Sequence, residues 1–539
     1  MAVAKIKSFQ RQSNRLTLNL FIDSGAIMTK VLRIWGAMIA AITLPATSAH
    51  AEWLEASHKR FVIYADMSPK ALNAFASDLE RFDSAMRFLF PNPRDEIDSA
   101  NRVTIFVVDN ADVVETLART ENAAGFYRPS ASGSIIVTPR TTASEVKEFN
   151  SKLVLFHEYA HHVTLSNSNN YYPGWVTEGL AEFFATTSIK ADGTIAIGLP
   201  NNARAYSLQV SNPISAETLL TSDTRVFDEE QVSQKYARGW LLTHYLMLGK
   251  TRPGQLGAYI KLVNSGTPSL DAARKVFGDL DKLDRELNAY RSRSVLAGAA
   301  IPPGKLPTGV VMIRPLDAGQ AAMMPFHIQS AAGVDAKSAA VLAGKARPVA
   351  NAYPTNSWVQ RALAEIEYDA RNDDAAMAAA DRALSADPKN MMALIYKGQV
   401  AMRRAAVAKS TDPAVWREAR RWFLKANAID PNFALPFVLY HASFARAGEA
   451  PNASAVDGLV RAMDLVPQDT GLRFNVGVQL LTQGDRVGAR RALAPVASNP
   501  HGGRENRAAT MLKLLDSGAT AEAVLAAAKP PKAETPSTK

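Results

Sequence analysis

His157-Glu158-Tyr159-Ala160-His161 and, shortly after it, Pro173-Gly174-Trp175-Val176-Thr177-Glu178-Gly179-Leu180-Ala181-Glu182 are the stretches on which the reading of this 539-residue chain turns. On a helix, positions i and i+4 share one face, so His157 and His161 can aim both imidazoles at a single ion. Glu158 is offset around that helix, which in an H-E-x-x-H segment sets its carboxylate beside a metal's open position. Glu178 is the seventeenth residue after His161. A turn through 166–172 is long enough to bring a second helix back alongside, making Glu178 a third ligand. Two His and one Glu, with a water in the fourth position, are a standard catalytic zinc set. Glu182 lies one turn further on the same face, where it can accept a hydrogen bond from a ligating His and fix its tautomer. Like charges at i,i+4 repel on an isolated helix, so a nearby cation accounts for this pair better than a solvated face does. Gly179 and Ala181 permit close helix–helix approach.

Composition narrows the alternatives. Apolar residues make up 47% and charged residues 21% of the chain, which excludes a wholly disordered or collagen-like protein. The chain has no cysteine, so disulfides, Cys-ligated zinc, a Cys nucleophile and an acylated-Cys anchor are all excluded. Any metal must be held by His, Asp or Glu. Of the net charge of +10, residues 1–51 supply +5 from six basic residues and Asp23. No dense Lys/Arg run follows, and nucleic-acid binding is set aside.

The amino end reads as an export signal. Met28-Thr-Lys30-Val-Leu-Arg33 is a basic head and Ile34 to Leu44 an apolar run too short to span a bilayer. Pro45 and Ala49-His50-Ala51 follow, giving cleavage before Glu52. The expected location is therefore periplasmic or secreted, with residues 1–51 as signal peptide and Met28 as an alternative start.

The rest divides into parts. Between 58 and 140, strands are expected at 58–65, 103–108 and 134–137, with an amphipathic helix over 69–89. From 143 to 290 the pattern is helical, with candidates at 144–165, 175–186, 229–248, 254–264 and 280–290. Residues 296–350, rich in Ala, Gly and Pro, read as a connector or small β element. From 351 to 525 prolines recur after helix-like segments at Pro354, Pro388, Pro431, Pro467 and Pro500, with an apparent insertion at 405–413. Small residues (Ala379, Ala383, Gly398) recur where paired helices would pack closely. A period near 34 with paired helices and a terminal Pro resembles the tetratricopeptide repeat, with Trp358 and Trp416 at its aromatic position and the Leu-Gly pair mostly missing. Such repeats stack into an all-α superhelix whose concave face binds peptide or protein. Residues 526–539 read as a disordered tail.

The two quoted stretches together resemble the gluzincin metallopeptidases, the thermolysin and aminopeptidase clan, and within it the peptidase MA-like branch. Tyr236-Ala-Arg-Gly239-Trp-Leu-Leu-Thr-His-Tyr245 is similar to the Tyr-x-x-Gly helix of the aminopeptidase branch. The resemblance implies an α+β fold for residues 52–295, a small mixed sheet plus a helical zinc-site subdomain, followed by the repeats. It implies Zn2+ as cofactor, His157, His161 and Glu178 as metal ligands, Glu182 behind them and Glu158 as general base. By the same match the Tyr236 hydroxyl stabilises the tetrahedral intermediate, with Tyr245 as fallback. The clan's Gly-x-Met-Glu-Asn strand, which anchors a substrate amine, is missing. Ser132-Gly133-Ser-Ile-Ile-Val137 stands there without a carboxylate, which favours an endopeptidase over an aminopeptidase. That strand is still expected to bind peptide backbone by β-augmentation.

The expected chemistry is peptide hydrolysis by a zinc-activated water, with Glu158 taking its proton and passing it to the leaving amine. Peptide or protein is the expected substrate, the repeats recruit it or a protein partner, and no stable transmembrane span is expected in the mature chain. The alternative is a catalytically inactive peptidase-like scaffold whose repeats mediate binding or assembly. A purely structural zinc ranks last, because such sites are usually closed and Cys-rich. His162 and His244 receive no role.

Overall fold

The structure, a computed structural model, describes residues 53–91, 101–140, 151–166, 171–210, 212–224, 227–498 and 506–529. The expected signal peptide, residues 144–150 of the expected metal-binding helix, Pro500 and residues 530–539 lie outside the described residues. The described residues, which run from 53 to 529, cluster as one compact unit.

The main sheet runs in the order β4-β5-β3-β2-β1-β9. Its strands are β1 (Trp53–Ser57), β2 (Phe61–Asp66), β3 (Val103–Val108), β4 (Phe126–Arg128), β5 (Ile135–Pro139) and β9 (Met312–Pro315). β2, β3 and β5 are mutually parallel, with Ile63 opposite Ile105 and Ile105 opposite Ile136. The other pairings are antiparallel. The central strands are covered on both faces, which is why Val103-Thr-Ile-Phe-Val-Val108 reads as a nearly continuous apolar run rather than an alternating one. One face carries Phe61, Ile63, Ile105 and Ile136 into a core with helices α1 (Pro69–Leu89) and α3 (Ser151–Leu165). The other face carries Phe106, Ile135 and Val137 against α2 (Ala111–Ala118) and α11 (Ala318–Ala331). A second sheet joins β6 (Ser188–Ile189), β7 (Ile195–Ile197) and β8 (Ala299–Ile301).

The chain between β5 and β8 also forms the helices α4 (Gly174–Ala185), α5 (Asn202–Val210), α6 (Ala216–Leu220), α7 (Glu229–Leu248), α8 (Gln255–Asn264), α9 (Ser269–Phe277) and α10 (Leu280–Arg291). Helix α1 starts where Ser68 caps the Ala71 amide and Pro69 occupies the first turn. Helix α7 starts on a reciprocal capping box between Asp228 and Gln231.

Residues 296–350, expected to be a connector or small β element, contain both strand and helix. They hold β8 and β9 and then two helices, α11 and α12 (Ala336–Ala352). β9 extends the main sheet as its edge strand, and α11 covers the far face with Met324 and Ile328, joined by the flanking Leu316 and Ala332. The apolar spacing was masked by Ala/Gly richness and by Pro325 inside α11. The helical array therefore begins at Ala318 rather than 351, and its last helix among the described residues, α22 (Ala521–Ala527), runs two residues past the expected end of the repeats.

The array continues through α13 (Ser357–Asp369), α14 (Asp373–Ala386), α15 (Met391–Val407), α16 (Pro413–Ile429), α17 (Ala434–Ala447), α18 (Ala453–Leu465), α19 (Thr470–Thr482), α20 (Arg486–Ala497) and α21 (Arg507–Asp516). Pro354, Pro388, Pro431 and Pro467 each fall in the turn after the second helix of a pair. The longer interval at 388–431 comes from α15 and α16, which are both 17 residues long. Gly398 on α15 sits against the Phe423 ring of α16, where an added Cβ would lie 2.5 Å from a ring carbon. No helix among the described residues is long and apolar enough to cross a membrane.

Asp369 lies where α13 meets α11, with its Oδ2 accepting from Ser330 at 3.3 Å. Burial, then the charge of Glu365, push its pKa up to about 7. A carboxyl with a raised folded-state pKa contributes stability that is full below its unfolded value of ~3.9 and is lost as pH rises toward the folded value. The melting temperature of Asp369→Asn relative to the unaltered chain should therefore rise between pH 4 and 7, because the variant lacks this loss. An unchanged slope in the variant would contradict the assignment.

Candidate metal centre

Helix α3 is fixed in rotation by its buried side. Phe156 stacks on Phe82 with ring centroids 4.1 Å apart, and the buried Tyr159 hydroxyl donates to Asp83 at 2.9 Å. The opposite side then presents His157 and His161, whose Nε2 atoms are 3.1 Å apart. Helix α4 packs against both α3 and α7, and every one of its twelve residues is buried. Its crossing with α7 depends on Gly179, where an added Cβ would lie 2.3 Å from Thr243 Oγ1 and 2.7 Å from the Gly239 carbonyl oxygen. The close approach expected of Gly179 is therefore to α7, and Gly239 of the Tyr-x-x-Gly segment is its counterpart.

This packing places Glu178, 1% exposed, with Oε2 3.7 Å from His157 Nε2 and 3.6 Å from His161 Nε2. Donor atoms of the three residues all lie within 4.8 Å of one another. Metal–ligand bonds of ~2.0–2.1 Å at tetrahedral angles imply donor separations of ~3.3–3.4 Å. The triangle of 3.1, 3.6 and 3.7 Å fits a single divalent ion with little movement. Burial opposes the charged form of His161, but Glu178 outweighs it and raises the ring's pKa to about 8. The pocket is thus built to attract positive charge.

Glu182 stands behind these ligands, with Oε1 3.5 Å from His157 Nδ1. It also accepts from Asn201 at 2.8 Å and from Arg204 at 2.5 Å. Burial opposes its ionisation, yet the Arg204 charge lowers its pKa. Arg204 also lies over the Tyr236 ring, 5.1 Å from the centroid. Tyr236 belongs to the same site: the charge of Glu178, then burial, hold its hydroxyl pKa well above the ordinary value, keeping it a neutral donor. Tyr245 does not serve as a substitute, because its hydroxyl donates to Glu286 at 3.0 Å. His244 is held between the Tyr290 hydroxyl and the Gly198 carbonyl, both at 2.9 Å. His162 is 3.1 Å from the Tyr127 hydroxyl, and burial pushes its pKa down to about 3. Each ring is thus tied to partners within the core. Asn201 and Arg204 were not singled out from sequence. The one available signal was the need of Glu182 for a counter-charge, which does not say where in the chain the cation lies.

A cavity of about 430 Å3 opens onto the centre and is lined by Glu158, His161, Glu178 and the strand Phe126–Arg128. The strand expected to receive a peptide, β5, is paired on both sides, with β3 and with β4. β4 is instead the edge of the sheet, and it is β4 that lines the cavity. Gly125 lets β4 approach α3 closely: an added Cβ would lie 2.4 Å from Val154 and 3.6 Å from Cγ of Glu158.

A family described as "Protein of unknown function (DUF1570)" matches residues 155–268. The matched segment contains the three donors, Glu158, Glu182, Arg204 and Tyr236. No curated protein matches the chain.

Breaking one half of a buried ion pair strands the other charge, whereas replacing both halves by apolar residues is often close to neutral. Arg204→Met should destabilise the metal-free protein by about 3 kcal/mol in urea unfolding, the low end of that range because Arg204 keeps 28% side-chain exposure. The double variant Arg204→Met/Glu182→Met should recover most of that loss. Equal destabilisation in both would show that Glu182 does not depend on Arg204.

Proposed function

We propose that this chain is an exported, zinc-dependent peptidase of gluzincin type. The observation that carries the reading is the buried triangle of His157, His161 and Glu178 facing a cavity that Glu158 also lines. When bound there, zinc would supply Lewis acidity, polarising a peptide carbonyl and allowing water to ionise near neutral pH. Glu158 accepts the proton of the attacking water at its carboxylate and delivers it to the leaving amine. Tyr236 donates a hydrogen bond from its hydroxyl, keeping its proton, to the oxygen on which negative charge develops. Glu182 and Arg204 act through His157, holding its ring orientation. The free edge of β4 takes an extended substrate by backbone pairing. Among the described residues, the acids that line the cavity are Glu158 and Glu178, both already employed, which favours an endopeptidase over an aminopeptidase. The paired helices and their turn prolines support a tetratricopeptide-like reading of the array, with a role in recruiting substrate or a protein partner. The basic head, apolar run and Ala-x-Ala of residues 28–51 support export.

The competing scaffold reading requires the four site residues to be dispensable. Glu158→Gln should keep the fold and its zinc stoichiometry while lowering kcat on a peptide library by ~10²–10⁴-fold, the usual contribution of a general base. Zinc content and turnover measured on the same sample separate the readings. Retained zinc with unaltered cleavage would remove Glu158 from the mechanism.

A further inference from the structure

The cleft is walled on one side by the helical array. Pro467, Gln468, Thr470 and Arg473, from the turn before α19 and its first residues, line the same cavity as Glu158, His161 and Glu178. This wall is anchored to the sheet. Asp469 Oδ2 accepts from the Ala131 amide at 2.8 Å while its Oδ1 caps the Leu472 amide at 2.9 Å. Gln468 donates to Ser134 at 3.3 Å and also to Asn101. Ala131 is buried among Ala434, Leu459, Leu465 and Leu472 of the array, and the Tyr171 hydroxyl bonds to Ser498.

Within the wall, Arg473 is an unusual residue. It is 6% exposed, yet no Asp or Glu among the described residues forms an ion pair with it. Its Nε donates to the Pro467 carbonyl, leaving most of a five-donor fork for other partners. Burial, then the charge of Arg491, lower its pKa to about 10, against a smaller pull from Asp464, so it stays charged at neutral pH. A buried cation without an anionic partner is destabilising. Here it faces a cavity, on the first turn of a helix whose N-terminal dipole also favours negative charge. Arg128 of β4 lines the same cavity as a second cation, with one guanidinium nitrogen donating to the Ala332 carbonyl.

We infer that Arg473 is a specificity-determining residue that receives a carboxylate of the substrate in the cleft. That carboxylate belongs either to an acidic side chain or to a free C-terminus, and a planar guanidinium binds both in the same two-pronged way. The inference rests on the peptidase reading and gives the array a direct part in substrate choice.

The test uses the zinc-loaded full chain carrying Glu158→Gln, so that binding is read without turnover. The probes are fluorescent, N-acetylated alanine hexapeptides in three forms: free acid, C-terminal amide, and amide with one internal Glu. Fluorescence anisotropy should show one or both carboxylate forms binding about tenfold or more tighter than the neutral amide, the range for a hydrogen bond to a charged group. Arg473→Gln should bring that ratio close to one, and Arg473→Lys, with charge but no fork, should keep part of it. Preference for the free acid alone places a substrate C-terminus at Arg473; preference for the internal Glu places a side chain there. A ratio that survives Arg473→Gln overturns the assignment while leaving the peptidase reading intact. Failure of all three peptides to bind, the neutral amide included, overturns the peptidase reading and this one with it.

Discussion

The site rests on two carboxylates, Glu178 and Glu182, one turn apart on a helix with no solvent-facing side. A carboxylate removed from water needs a counter-charge and hydrogen bonds, or it does not stay ionised. Glu182 has Arg204 and Asn201. Glu178 has the two imidazoles of α3, and the spacing of those three donors suits a metal ion. The remaining geometry serves this requirement. Gly179 and Gly239 bring α7 against α4 and with it Tyr236, while Phe156 and Tyr159 hold α3 so that its histidines face inward.

The donor set was legible in the sequence because helical spacing is rigid. His157 and His161 can meet at one ion whatever surrounds them, and a buried i,i+4 pair of acids demands a cation. The central strands were legible because each is a short run of apolar, mostly β-branched residues closed by turn signals. What stayed hidden came from partners distant in sequence. Arg204 becomes part of the site only once α5 folds back on Glu182. β4, three residues long, is a strand only because β5 lies beside it. Helix α11 was obscured by Pro325, and its apolar side has meaning only against the far face of the sheet.

The array turned out to be more than an appendage. Its first helix forms part of the sheet domain's core, and its α18–α19 turn walls the cavity that Glu158, His161 and Glu178 line. Sequence periodicity reports that helices pair, but not where the stack docks, because docking is decided by single contacts such as Asp469 with the Ala131 amide. With the three donors on one part of the chain and a cavity wall on the other, the wall can change without disturbing the donors.

X-ray absorption at the zinc edge, on the full chain purified with its native metal, tests the central claim most directly. The account predicts one zinc with two imidazole nitrogens and light oxygen donors at ~2.0–2.1 Å, one of them from solvent. A metal-free protein that refuses added zinc, or a shell closed by imidazoles without a carboxylate, would contradict it.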